Sequence, residues 1–240
     1  MLIPSKLICS YRLQNSIVRE RLTRLLDKAE QYPLVLVNAP AGYGKTTLIS
    51  QWAAKQANVG WYSLDESDNK TERFAAYFSA ALHHAVGAEQ QVIDEDSVNL
   101  QTNLFASLNQ LLVKIAQFKQ HFYLIIDDYH LIENEEIHDA LKYWIKHQPE
   151  NMTLILISRS VPPLGIAGLR VQEQLLEIDV HQLPFNHQES VAFFQSRLGS
   201  ELAEKDIISL CDEVEGWPTA LQLISLSAKQ AINKKPDAVA

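Results

Sequence analysis

The sequence predicts an α/β fold: a mostly parallel five-stranded sheet flanked by helices, followed by a small helical lid. Three observations predict it. Apolar, β-branched runs at 34–37, 59–64, 122–126, 152–157 and 175–178 lack strict alternation, as strands buried on both faces do. Stretches with apolar residues at helical spacing separate most of these runs, which is the order of βα units. From about residue 186 the pattern is helical only. This divides the chain into an arm over 1–15, an α/β domain over 16–185 and a lid with the start of a linker over 186–240.

The first strand leads into Asn38-Ala39-Pro40-Ala41-Gly42-Tyr43-Gly44-Lys45-Thr46-Thr47, and a helical pattern, Leu48-Ile49-Ser50-Gln51-Trp52, leads out. Strand, glycine-containing turn and helix in that order make a phosphate-binding loop, and the fold is that of a P-loop nucleotide-binding domain. Ala39, Pro40, Ala41, Gly42, Tyr43, Gly44, Lys45, Thr46 and Thr47 are the binding residues expected here. Glycines let successive backbone N–H groups face one anion, and the helix adds free N–H groups and the positive end of its dipole. Lys45 would reach the β- and γ-phosphates of ATP or ADP, and the Thr46 hydroxyl would join a Mg²⁺ shell. The usual pattern GxxxxGK[ST] begins with Gly, and here that place holds Ala39. Alanine is small but gives up easy access to positive φ.

Around this loop the elements follow in order. Ser16 is placed to cap a helix over 17–29, in which Val18, Leu22 and Leu25-Leu26 recur at helical spacing. The acidic run Asp65-Glu66-Ser67-Asp68-Asn69 after the second strand lacks the glycine and closing glutamate of a calcium loop, and reads as a solvated turn and helix cap. Phe74, Phe78, Ala81, Leu82 and Ala85 mark an amphipathic helix, with His83-His84 on its surface or half-buried. Residues 87–101 are polar and irregular, a long loop, and a second helix face runs from Leu104 to Phe118.

The third strand ends in Asp127-Asp128, at the carboxyl edge where open α/β sheets bind ligands. Asp127 is placed to hold Mg²⁺ directly or through water, and Asp128 to orient or activate an attacking water. A capped strand-to-loop turn is the competing reading of two such acids; a phosphate loop upstream weighs against it. The fourth strand ends in Arg159, which could contact a γ-phosphate or pair with a neighbouring acid on the surface. Val161-Pro162-Pro163-Leu164 is a turn. In the lid, Asn186 or Ser190 caps one helix, Ile207 and Cys211 mark the next, and Gly216-Trp217-Pro218 starts a third with Pro218 in its first turn. Lys234-Lys235-Pro236-Asp237 reads as a linker.

Composition bounds the function. The 240 residues carry 47% hydrophobic and 21% charged side chains, ordinary values for a globular protein. A net charge of −8, from 29 acidic and 21 basic residues, offers no electrostatic footprint for nucleic acid or anionic membrane. Two cysteines, Cys9 and Cys211, fit no metal spacing and point to a reduced cytoplasmic setting. No apolar run approaches the roughly 20 residues of a membrane span, and the N-terminus lacks the apolar core of a signal peptide.

The two-acid strand end, the strand-end arginine and a helical lid carrying Gly-x-Pro together resemble the STAND class of signalling ATPases. Stretches at 1–7, 41–53, 60–66, 126–131, 147–150 and 216–223 resemble, within that class, the large ATP-binding LuxR-type regulators of maltose genes, over essentially the whole chain. The resemblance implies that Pro218 lies near the adenine, and that the short stretch Ser16-Ile17-Val18-Arg19-Glu20-Arg21-Leu22 packs beside the base, with Val18 and Arg19 as binding residues. It also implies an ATP/ADP switch, ADP-bound and monomeric at rest, ATP-bound and self-associating when active, reset by slow hydrolysis. Inhibitory proteins (the maltose transporter ATPase subunit MalK, MalY and an acetyl esterase) are implied partners. DNA and maltotriose would be bound by regions outside this chain, which the resemblance implies is a fragment of a longer regulator. The alternatives are a metabolic ATPase or kinase, for which no acceptor pocket or second base is evident, and a DNA-binding or helicase module, which the acidic balance disfavours.

Overall fold

A computed structural model describes residues 2–9, 16–87, 104–199 and 201–233. The expected long loop at 87–101 and the linker at 234–237 lie outside the described residues, apart from Gly87. Five strands, β1 (Leu34–Asn38), β2 (Val59–Ser63), β3 (Phe122–Asp127), β4 (Met152–Ser158) and β5 (Leu175–Ile178), pair in the order β2-β3-β4-β1-β5. Every pairing is parallel. Helices α1 (Glu20–Leu26), α2 (Lys45–Ala53), α3 (Thr71–Val86), α4 (Leu104–Ile115), α5 (Glu135–His147) and α6 (Ile166–Val171) belong to the α/β part.

Successive residues of a strand point to opposite faces, so a strand covered on both sides must be apolar throughout. That is what the runs do. Leu34, Leu36, Leu124, Ile126, Leu154 and Leu156 pack with the apolar faces of α3, α4 and α5. Their neighbours Val35, Val37, Tyr123, Ile125, Ile155 and Ile157 pack on the other side with Leu22 and Leu26 of α1 and Leu48, Ile49 and Trp52 of α2. Because β4 lies between β1 and β3, the carboxyl ends of these three strands bring the phosphate loop, residue 159 and the paired acids side by side. Asn38 is in register with Ser158, and Ser63 with Asp127.

Two expectations are corrected. The first helix begins at Glu20 rather than after Ser16, and ends at Leu26 rather than 29. Residues 16–19 carry no helix, and the Ser16 hydroxyl instead accepts a hydrogen bond from Gln51 Nε2 on α2 at 2.9 Å. The acidic turn at 65–69 does cap itself, with the Asp65 and Asp68 side chains and backbones bonded reciprocally. It is not simply solvated, because Asp68 is fully buried. Lys6, carried in by a short 3₁₀ turn over Pro4–Lys6, pairs with Asp68 and with Asp65, and Arg73 Nε meets Asp68 Oδ1 at 2.9 Å. Opposite charges close at hand offset the cost of burying that carboxylate.

Beyond the sheet, α7 (His187–Leu198), α8 (Glu204–Glu213) and α9 (Pro218–Asn233) pack on one another around Phe193, Phe194, Leu198, Ile207 and Leu221. Asn186 and Glu189 form the capping box that starts α7. The same Glu189 receives both Nε and Nη2 of Arg21 at 3.0 Å, tying this helical group to α1.

Candidate nucleotide site

Ala39 fits the loop despite the departure from pattern. Among the described residues, non-glycine positive φ occurs at Asn58, Asp128, Glu173 and Glu215, so Ala39 needs no glycine freedom. Its methyl is buried in the cluster between sheet and α2. The two places that do need it are Gly42, with φ 85°, and Gly44, with φ 71°. Gly44 is the residue before α2, and it offers no side-chain cap to the helix. The first turn of α2 therefore keeps N–H groups for an outside acceptor.

Side chains hold the loop from several directions. Lys45 Nζ lies back along it, donating to Ala39 O at 2.6 Å and Pro40 O at 2.9 Å. Burial pushes its pKa down, and Arg159 adds to this, while Asp128 and Asp127 act against it. Arg19, only 2% exposed, donates to the carbonyl oxygens of Tyr43 (3.2 Å), Gly44 (2.6 Å) and Leu183 (2.9 Å). Its pKa falls to about 10, from burial first, with Glu189 countering.

Thr46 Oγ1 donates to Asp127 Oδ1 at 3.2 Å, so the two groups expected at a metal do meet. Asp127 is pushed up to about 6 by burial first and then by Asp128, with the Thr46 hydrogen bond opposing. A carboxylate so disfavoured in its charged form is one that a divalent cation would restore. Among the described residues no group of three or more His, Cys, Asp or Glu could hold a metal. Thr46 and Asp127 would therefore hold Mg²⁺ only with phosphate oxygens and water completing the shell, as the donor set of a Mg²⁺–nucleotide requires. Asp128 has φ 58° and ψ 37°, a left-handed conformation that Asp tolerates, and its side chain is half exposed.

These parts bound one cavity of about 650 Å³. The α/β part contributes Ala41, Gly42, Gly44, Lys45, Thr46, Thr47, Asp128 and Arg159. Ser16, Ile17 and Arg19 line a second side, and Phe185, Phe193, Arg197, Pro218, Thr219 and Gln222 close the third. The charged side chains among these lining residues are Arg19, Lys45, Arg159 and Arg197 against Asp128. In a chain of net charge −8, a lining of four basic side chains against one acid suits a polyanion with an apolar, ring-shaped end.

Of the expected site residues, Ala39, Pro40, Tyr43, Asp127 and Val18 are not among the lining: Ala39 and Asp127 are buried, Tyr43 is half-buried, and Pro40 and Val18 are exposed. Ser16 and Ile17, beside Val18, line the cavity. Sequence reasoning missed Phe185, Phe193, Arg197, Thr219 and Gln222. The capping box before α7 and the Gly-x-Pro turn before α9 mark where those elements start, but no local signal says which of their faces meets the loop.

The fold and site define a P-loop ATPase domain, and comparison places it: a profile of the AAA ATPase domain family matches residues 17–164, and the chain belongs to that family. More particularly, it is 55% identical over 231 residues to the HTH-type transcriptional regulator MalT of Yersinia pestis (strain Pestoides F). It is 54% identical over 235 residues to MalT of Serratia proteamaculans (strain 568). Each match covers 96% of this chain and 26% of the relative, so the chain spans about a quarter of the length of these regulators. Among solved structures it is similar to a signal transduction ATPase with numerous domains and a tetratricopeptide repeat sensor from Pyrococcus horikoshii. That likeness has a TM-score of 0.65 at 19% identity and covers 99% of this chain and 33% of that one, a likeness of fold. The resemblance to large LuxR-type regulators seen in the residues is borne out by these relatives. Among the described residues, no helix is long and apolar enough to cross a membrane.

Proposed function

We propose that this chain is the ATP/ADP-binding switch domain of a cytoplasmic transcriptional activator of maltose and maltodextrin genes. The observation that carries the reading is the shared cavity, in which a phosphate loop, two strand-end side chains and a helical lid face one another. A bound nucleotide there touches both parts of the molecule, so its phosphate number can set how the parts sit. The N–H groups of 42–47 with Lys45 and Arg159 hold the phosphates, Thr46 and Asp127 hold Mg²⁺, and Ile17, Phe185 and Pro218 offer apolar surface to the base. Mg²⁺ supplies charge neutralisation at the phosphates. Asp128, half exposed at the cavity with His130 Nδ1 at 3.8 Å from its Oδ1, orients the water that attacks.

In this reading the ATP-bound state permits self-association, and slow hydrolysis returns the ADP-bound resting state. The unit boundaries are 1–15 for the arm, 16–185 for the α/β domain and 186–240 for the lid and linker. DNA and maltotriose are bound elsewhere in the full protein, and MalK, MalY and an acetyl esterase act as inhibitory partners. The support is 55% identity to MalT together with the cation-lined site.

Calorimetric titration with ADP and Mg²⁺ tests it. Lys45→Ala removes charge-assisted contacts worth about 1.5–3 kcal/mol, a loss of about tenfold or more in affinity. Unchanged affinity would overturn the phosphate-loop assignment. Rapid turnover of the unmutated chain without sugar or partner would favour a metabolic ATPase over a switch.

A further inference from the structure

Three successive carbonyl groups of the phosphate loop are held by side chains that themselves border the cavity. Arg19 takes those of Tyr43 and Gly44. The third, of Gly42, accepts a hydrogen bond from the Thr219 hydroxyl at 2.9 Å. Thr219 is the second residue of α9, so the donor comes from the lid, 177 residues along the chain. The approach is close as well as polar. A methyl group added at Gly42 would lie 2.5 Å from Thr219 Oγ1 and 2.9 Å from Trp217 Nε1.

A trans peptide points its C=O and its N–H in opposite directions. Holding the Gly42 oxygen toward α9 therefore directs the Tyr43 N–H away from it, and holding the next two oxygens does the same for the N–H groups of Gly44 and Lys45. Anion binding by such a loop depends on consecutive N–H groups sharing one direction. Gly42, at φ 85° and without a side chain, has nothing of its own to prevent its peptide from turning over.

We propose that Thr219 is a positioning residue for phosphate binding: from the lid it fixes the Gly42–Tyr43 peptide in the orientation that receives phosphate. The loop's grip on phosphate then depends on lid closure, and phosphate binding in turn favours the closed lid. This rests on the nucleotide-site reading above and adds to it the residue through which loop and lid are coupled. The turn that presents Thr219 is itself braced, with Phe185 N donating to Gly216 O at 2.8 Å and Gly216 N to Cys211 O at 2.8 Å.

The test compares Thr219→Val, which keeps the shape and removes the hydroxyl, with Thr219→Ser, which keeps the hydroxyl. Affinities for ADP and for adenosine are measured by competition on the full chain, with Lys45→Ala alongside. Thr219→Val should lose about fivefold to tenfold for ADP and less than about twofold for adenosine, with Thr219→Ser restoring most of the loss. Unchanged ADP affinity in Thr219→Val would overturn the proposal, and so would equal losses for ADP and adenosine, which would mean lid packing alone. If Lys45→Ala still loses ADP in either case, the nucleotide site stands without this role for Thr219.

Discussion

The two walls of the cavity are built differently. The phosphate wall stands on β1, β3 and β4, central to a sheet packed on both faces by large apolar clusters. The lid wall stands on three helices whose own buried cluster is small: Phe193, Phe194, Leu198, Ile207 and Leu221. Polar contacts fasten the lid to the rest, beside the packing of Ile17 on its cluster and of Trp217 near Tyr43. Arg21 pairs with Glu189, and Thr219 with Gly42. Hydrogen bonds and half-exposed ion pairs are individually worth about 1 kcal/mol, far less than a buried core. In the proposed reading, a wall built on the sheet would grip phosphate opposite a more lightly fastened wall that would cover the base, a construction suited to reporting what is bound.

Two core truncations should separate the walls, and they carry the largest expected effects. Asp68→Ala leaves Lys6 and Arg73 without their buried partner in the α/β part, at a cost of about 3–5 kcal/mol in stability. Denaturant unfolding should show that loss while ADP affinity of the folded protein stays within about twofold. Phe194→Ala opens a cavity in the lid at a similar local cost of about 3–5 kcal/mol. Here the main unfolding transition should persist while ADP affinity falls steeply. A single shared transition lost in both variants would erase the distinction between the walls.

How far the walls were legible in the sequence follows the same division. Loop, Asp127, Asp128 and Arg159 each sit at a strand end, and adjacency along the chain is enough to find them; parallel pairing then brings the strand ends together. The lid residues reach the site by tertiary packing. Thr219 and Gln222 look like ordinary positions of an amphipathic helix, and only Pro218 stood out, through resemblance. The same limit hid the burial of Asp68, whose partner Lys6 lies 62 residues away in sequence. Of the stretch 16–22 expected beside the base, Ser16, Ile17 and Arg19 line the cavity and Val18 does not, and residues 17–19 do not form the helix that their periodicity suggested.

A subtler prediction concerns the phosphate wall itself. Arg159 lines the cavity at the end of β4, between the loop and the paired acids. Arg159→Ala should weaken ATP by about tenfold and ADP by less than about threefold, measured by parallel titrations. Equal losses would mean that it does not read the γ-phosphate.

The smallest effect lies far from the lid. Asp65 is held well below the usual carboxylate range, to about 2, mainly by its Ser67 hydrogen bond, with Lys6 contributing. A depressed folded pKa stabilises above the unfolded value near 4 and is lost as pH falls toward 2. Asp65→Asn should therefore lower stability slightly at pH 7, less so near pH 3, and not measurably below pH 2. Because Asp65 is half exposed, added salt should shrink the difference further. A difference that grows on acidification would contradict the assignment.

The most direct test of the two-walled account is amide hydrogen exchange with and without saturating ADP. Protection should rise together in the loop over 41–47 and in the lid over 185–222, with the core strands β3 and β4 unchanged because they are already closed. Protection confined to the loop, with the lid exchanging as before, would contradict the claim that both walls hold the nucleotide.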